Sequence, residues 1–145
     1  MDTANARNVA HYSHVGQRDR FDEPVIEHVE RVAAAVSRGA QPVAYLHDVV
    51  EHTDTDYDDL IAHGLTPVEF AALELLTRSP DESFELYVLR IAHAAGPAGD
   101  LARAVKLADL DDHLAHDEMP VGAPPYDWAR LHIVVAGDRA NGRAA

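Results

Sequence analysis

Val43-Ala44-Tyr45-Leu46-His47-Asp48-Val49-Val50-Glu51-His52-Thr53 is an apolar run that abruptly presents a His-Asp doublet, then a carboxylate and a second imidazole one turn on. Residues three and four apart on a helix share a face, so a helix here stacks His47 with Glu51 and sets Asp48 beside His52. An adjacent His and Asp can offer one nitrogen and one oxygen to the same cation. Ionisable groups in an apolar run cost free energy unless something pairs them. Read alone, the stretch is equally a satisfied polar helix end, because the apolar run stops at Val50.

Working outward, Pro42 opens this central helix, which is expected to end near Thr53. Upstream, Pro24 suits the first turn of a helix whose stripe is Val25, Ile26, Val29, Val32, Ala33 and Val36, with Gly39 as its stop. A weaker first helix runs from about Thr3 to His14, and the charged segment Gln17 to Glu23 is a loop. Downstream, Asp54-Thr55-Asp56 caps a short helix, Tyr57 to His63. Thr66-Pro67-Val68-Glu69 is a capping box with proline at the first helical position, and Ser79-Pro80-Asp81-Glu82 repeats the device. The helix that follows carries Phe84, Leu86, Tyr87, Leu89 and Ile91 and stops at Gly96-Pro97. Another helix spans about Ala98 to His116, then comes a loop from Met119 to Pro125 and a last helix from Tyr126 to Val135. Residues 136–145 are expected to be a flexible tail. No strand pattern, internal repeat or linker interrupts this, so the expectation is one all-α domain over residues 1–145, a bundle of six to eight helices.

Composition narrows the function. The chain has no cysteine, which removes disulfides, thiolate metal sites and cysteine nucleophiles together. Twenty-five acidic against 12 basic side chains give a formal charge of −13, which repels nucleic-acid backbones and anionic membranes. The first residues lack a basic segment followed by an apolar one, and no apolar run approaches the roughly 18 residues a bilayer requires. A cytoplasmic protein is expected. Ten histidines are many for 145 residues, and imidazole is the commonest metal ligand.

A second ionisable cluster lies in Val105-Lys106-Leu107-Ala108-Asp109-Leu110-Asp111-Asp112-His113. Lys106, the chain's single lysine, shares a helical face with Asp109 and His113, although a solvated charged turn fits the same residues. His14 stands at the end of the first helix, where a histidine also serves as a C-terminal cap. Taken together, His14, His47, Asp48 and Asp109 offer two imidazoles and two carboxylates, the ligand chemistry of a hard or borderline divalent ion with positions left open for water.

In this arrangement the sequence resembles the HD-domain metal-dependent phosphohydrolases, and within them the small alarmone hydrolases and the hydrolase half of RelA/SpoT-type enzymes. The motifs carrying the resemblance are His14-x-x-Gln17-Arg18, Pro24-x-x-x-His28, Leu46-His47-Asp48-x-Val50-Glu51-x-Thr53, Arg103-x-Val105-Lys106-Leu107-Ala108-Asp109 and Tyr126-x-Trp128-Ala129, in the family's order over roughly residues 8 to 136. The resemblance implies one Mn²⁺-type ion (Fe²⁺, Mg²⁺ or Zn²⁺ being alternatives) on His14, His47, Asp48 and Asp109. It implies Glu51 as the acid that activates water, with His52 as proton donor to the leaving oxygen, and Arg18, Arg20, Lys106 and His113 toward the substrate. Lys106 is equally a partner that holds Asp109 in place. His28 is expected to be structural or substrate-lining, and Tyr87, Tyr126 and Trp128 to be core.

Two positions depart from the family pattern: His52 stands where an Asp follows the catalytic Glu, and His113 where an Asn lies four residues past the last metal Asp. The implied function is hydrolysis of a nucleotide phosphate or diphosphate such as (p)ppGpp, by a monomer or homodimer. The alternatives are an HD hydrolase for another nucleotide and a catalytically degenerate HD domain that binds metal or nucleotide and regulates.

Overall fold

The computed structural model describes residues 1–116 and 121–142, and among them it is all-α; the β-type pairing seen is an isolated bridge between Arg18 and Pro24. The helices are α1 (Thr3–Ser13), α2 (Val25–Ala35), α3 (Gln41–Leu46), α4 (Val49–His52), α5 (Tyr57–Ala62), α6 (Pro67–Leu76), α7 (Phe84–His93), α8 (Gly96–His116) and α9 (Tyr126–Ala140). Since α3 and α4 are halves of one helix interrupted at His47 and Asp48, eight helices result when the two are counted as one, within the expected range.

α3 sits at the centre because it is apolar all round, and such a helix is stable only when every face is covered. Pro42, Val43, Ala44, Tyr45 and Leu46 are all buried. Around them pack α1 with Ala6, Val9 and Ala10, α2 with Val29, Val32 and Ala33, and the inner faces of α6 and α8.

The continuous helix expected through Thr53 is broken at the doublet, where Asp48 has φ −104° and ψ −4°. The His47 ring nitrogen Nδ1 meets the Ala44 carbonyl at 2.6 Å, the acceptor that an unbroken helix would give to the Asp48 N–H. The turn then re-forms, with the His52 N–H on the Asp48 carbonyl at 3.1 Å. The polar doublet is thereby held at the edge of the most buried helix.

The Thr66/Glu69 capping box forms as expected, and Asp56/Asp59 makes another. Ser79-Pro80-Asp81-Glu82 does not cap α7. Ser83 does, its Oγ accepting from the Leu86 N–H at 3.1 Å, while Glu82 is drawn off by Arg90 through contacts of 2.8 and 2.9 Å. α8 begins at Gly96 rather than Ala98, and α9 runs on to Ala140, five residues into the expected tail. Met119 and Pro120 of the expected loop, and residues 143–145 of the tail, lie outside the described residues. No helix among the described residues is long and apolar enough to cross a membrane.

Candidate metal centre

Three helices bring the ionisable groups together. α2 supplies His28, the α3–α4 turn supplies His47 and Asp48, and α8 supplies Asp109 and His113. Asp109 Oδ1 lies 3.0 Å from His28 Nε2, 3.2 Å from His113 Nε2 and 3.6 Å from His47 Nε2. Asp48 Oδ2 lies 3.3 Å from His47 Nε2 and 3.9 Å from His28 Nε2. Two overlapping sets, His28 with His47 and Asp48, and His28 with Asp109 and His113, each place three ligand atoms within 4.8 Å of one another.

The protonation pattern is fixed from outside the cluster. His47 Nδ1 faces the Ala44 carbonyl, and only an N–H can bond there. His28 Nδ1 faces Asp112 Oδ2 at 2.7 Å, and Arg31 grips that carboxylate through Nε at 2.7 Å and Nη2 at 3.0 Å. His14 Nδ1 donates to Gln17 Oε1 at 2.8 Å, while Gln17 Nε2 donates to the His52 carbonyl at 2.7 Å, which settles the amide's orientation. In its neutral form each ring therefore leaves Nε2 as a bare lone pair, and the Nε2 atoms of His14, His28 and His47 are buried without a hydrogen-bond partner. His28 Nε2 is 3.0 Å from Asp109 Oδ1, yet the two are not aligned as a hydrogen bond. An unsatisfied buried polar atom costs on the order of 1–3 kcal/mol. The lone pairs of His28 and His47, crowding carboxylate oxygens, fit a divalent cation, which would satisfy both at once.

The charges agree. Burial alone would raise the Asp109 carboxyl, but Lys106, donating to its Oδ2 at 2.6 Å, holds it well below the usual carboxylate range with help from His113, His28 and His47. Burial pulls the His47 imidazole down, but Asp48 and Asp109 outweigh it and push it up to about 9. Since Nδ1 already carries a proton, the second one goes to Nε2, where a cation would otherwise stand.

A proton and a cation would thus compete for the same lone pair, which sets a pH dependence. A pKa raised on folding stabilises the protein below the unfolded value and loses that contribution as pH rises through the folded one. The metal-free protein is therefore expected to lose on the order of 3 kcal/mol between about pH 6.5 and 9 as His47 deprotonates. Depression of the Asp109 and Asp48 carboxyls acts with the opposite sign, weakening the fold only as pH falls through the acid range. Urea denaturation of chelator-treated and metal-loaded protein at pH 6.5, 8 and 9.5 checks this, because only the metal-free form should weaken. A metal-free stability flat across the window would remove the competition.

The expected site residues do not all converge as the motif order suggested. His14, at the C-cap of α1, belongs to neither ligand set, although it feels the charges of Asp48, His47 and His52. His28, expected outside the ion's reach, belongs to both. Lys106 is engaged by Asp109 with its ammonium 5.0 Å over the Tyr87 ring, which makes it the ion-pair partner of the carboxylate. Arg18 donates to the Asp22 carbonyl at 2.6 Å and lines neither cavity beside the cluster. Arg20, with Phe21, His28, Asp48, His113 and Tyr126, lines a cavity of about 330 Å³.

Glu51 and His52 line a second cavity of about 580 Å³ with Thr77, Arg78 and Ser79. Glu51 Oε2 accepts from the Arg78 backbone N–H at 3.4 Å, and His52 Nε2 lies 4.0 Å from both Glu51 Oε1 and Asp48 Oδ1. Sequence reading missed Arg78. Its Nε donates to the Glu82 carbonyl at 2.8 Å, while its terminal nitrogens carry no hydrogen bond or ion pair among the described residues. It also missed the Asp112–Arg31 clamp on His28, whose available signal was spacing: Arg31 three residues after His28, Asp112 three after Asp109.

No family model matches the chain, and no curated protein matches it. A solved structure does, described as that of a metazoan ortholog of SpoT that hydrolyzes ppGpp and plays a role in starvation responses. It superposes over 99% of this chain and 97% of its own with a TM-score of 0.70 at 22% identity. The chain thus shares the fold of that structure across nearly its whole length, which is the fold the ordered motifs implied.

Proposed function

We propose that this chain, as one HD-type domain, is a metal-dependent phosphohydrolase acting on a nucleotide phosphate or diphosphate, with the 3′-diphosphate of (p)ppGpp first among substrates. The observation that carries it is the set of buried, unpartnered imidazole nitrogens around two carboxylates, on a fold shared with a ppGpp hydrolase. In this reading His28, His47, Asp48 and Asp109 hold the ion, and Lys106 positions Asp109. A divalent ion there supplies Lewis acidity, easing deprotonation of water and withdrawing charge from a phosphoryl oxygen.

The remaining steps belong to the chain's own groups. Glu51, beside the doublet, accepts the proton of the attacking water. Oxygen–phosphorus bond formation then breaks the bond to the ribose oxygen, which takes its proton from His52. Arg78 offers its unengaged guanidinium end to the departing diphosphate, and Arg20 lines the separate, aromatic-lined cavity with Phe21 and Tyr126. A different nucleotide is the second reading, because Arg18 and Lys106, two of the cations expected to meet phosphates, are engaged within the chain.

Protein loaded with Mn²⁺, and in parallel with Co²⁺, is expected to release pyrophosphate from (p)ppGpp. Release from other nucleotides alone would transfer the activity to the second reading. No release from any nucleotide, with metal shown to be bound, would replace the enzyme by a regulatory domain.

A further inference from the structure

We propose that His113 is an additional imidazole ligand of this centre, and that three imidazoles with two carboxylates turn its ion preference from Mn²⁺ and Mg²⁺ toward Fe²⁺, Co²⁺ and Zn²⁺. The inference rests on the reading of the cluster as an ion site and adds a ligand and a selectivity to it.

His113 follows Asp109 by one turn of α8, which aims both side chains at the same point. Its Nε2 lies 3.2 Å from Asp109 Oδ1, and the same oxygen is 3.0 Å from His28 Nε2. Donors bound at about 2.0–2.2 Å and at right angles around one ion stand about 3 Å apart. The spacing is that of neighbouring ligands. The ring is also held in place: it stacks on Tyr126 with centroids 5.0 Å apart and planes 15° apart, and its centroid is 4.8 Å from that of His28. A side chain still 30% exposed is thereby kept facing the cluster instead of solvent.

The competing account is a plain hydrogen bond from His113 to Asp109. It explains one nitrogen at an oxygen that three nitrogens approach. Two of those three belong to His28 and His47, whose protons are committed on Nδ1 to Asp112 and to the Ala44 carbonyl. With Nδ1 so committed, each of these two rings in its neutral form turns a lone pair toward Asp109 Oδ1, a convergence that a cation among them would satisfy, and His113 Nε2, at 3.2 Å, stands between their 3.0 and 3.6 Å. A third imidazole favours the later ions, because affinity at nitrogen sites rises from Mn²⁺ through Fe²⁺ to Co²⁺, and imidazole suits Zn²⁺ better than it suits Mg²⁺ or Mn²⁺.

The test uses full-length protein without a histidine tag, stripped with chelator. It is loaded with Co²⁺ and then exposed to an equimolar mixture of Mn²⁺, Co²⁺ and Zn²⁺. Wild-type protein is expected to take up Co²⁺ and Zn²⁺ over Mn²⁺ by about tenfold or more in elemental analysis. His113→Asn should shift the visible Co²⁺ spectrum and weaken Co²⁺ binding about tenfold, with Mn²⁺ binding changed far less. A Co²⁺ spectrum and affinities unchanged by His113→Asn would overturn the ligand assignment and leave the ion site standing. Failure of wild-type protein to bind any of the three ions would overturn the site itself, and this inference with it. Circular dichroism of the metal-free variant, matched to wild type, confirms that the change is local.

Discussion

Protein carrying His28→Ala is expected to lose its divalent metal on dialysis, whereas His14→Ala protein keeps it. The two histidines look alike in several respects: each is buried or nearly so, each anchors Nδ1 on an oxygen, and each leaves Nε2 unpartnered. What separates them is where Nε2 points. That of His28 is 3.0 Å from Asp109 Oδ1 and 3.9 Å from Asp48 Oδ2, so deleting the ring takes a donor from both ligand sets. Its anchor differs too: Asp112, itself held by Arg31 and His116, sets negative charge behind the ring and fixes its orientation toward a cation. Losing such an outer partner costs about 10–100-fold in metal affinity, so losing the ring itself should cost more than about 100-fold. His14 is anchored on a neutral amide, and burial lowers its pKa. Elemental analysis of both variants after dialysis decides between them. Metal lost from His14→Ala and kept by His28→Ala would restore the assignment drawn from motif order and undo the one drawn from geometry.

That reversal shows where sequence stops being informative. Whatever is settled within one or two turns was legible: the apolar character of α3, the Thr66/Glu69 capping box, a cap at Asp56 ahead of α5, and the pairing of Lys106 with Asp109 at three residues as one of two readings. The doublet was legible as well, but not the break in the helix at Asp48, because that depends on the His47 ring taking a backbone acceptor. Long-range choices were hidden. Whether His14 or His28 faces the carboxylates depends on how α1 and α2 pack on α3 and α8, which no periodicity within either helix encodes. Ser79-Pro80-Asp81-Glu82 has the composition of a cap, yet Arg90, eight residues on, captures Glu82 and leaves capping to Ser83. Arg78 was invisible as a functional cation for the same reason: only the fold lays the α6–α7 loop alongside Glu51.

Glu51→Gln should retain its metal while losing about 10²–10⁴-fold in kcat, the range typical for removal of a general base. The substitution keeps the side chain's length and an oxygen able to accept from the Arg78 N–H, so the loop beside the cavity has no cause to move. Glu51 is also in neither ligand set, which is why metal affinity should stay within about threefold while turnover collapses. A fall in kcat with KM unchanged places the lost interaction in the transition state, whereas a rise in KM alone would make Glu51 a substrate contact. Arg78→Ala supplies the contrast: it should raise KM, because the guanidinium end meets the substrate's anion and not the reacting water. The outcome that would sink the assignment is full activity in Glu51→Gln with metal in place. The proton would then have to go to His52, the titratable group left beside the doublet, and Glu51 would be reduced to an anchor for the loop at Arg78.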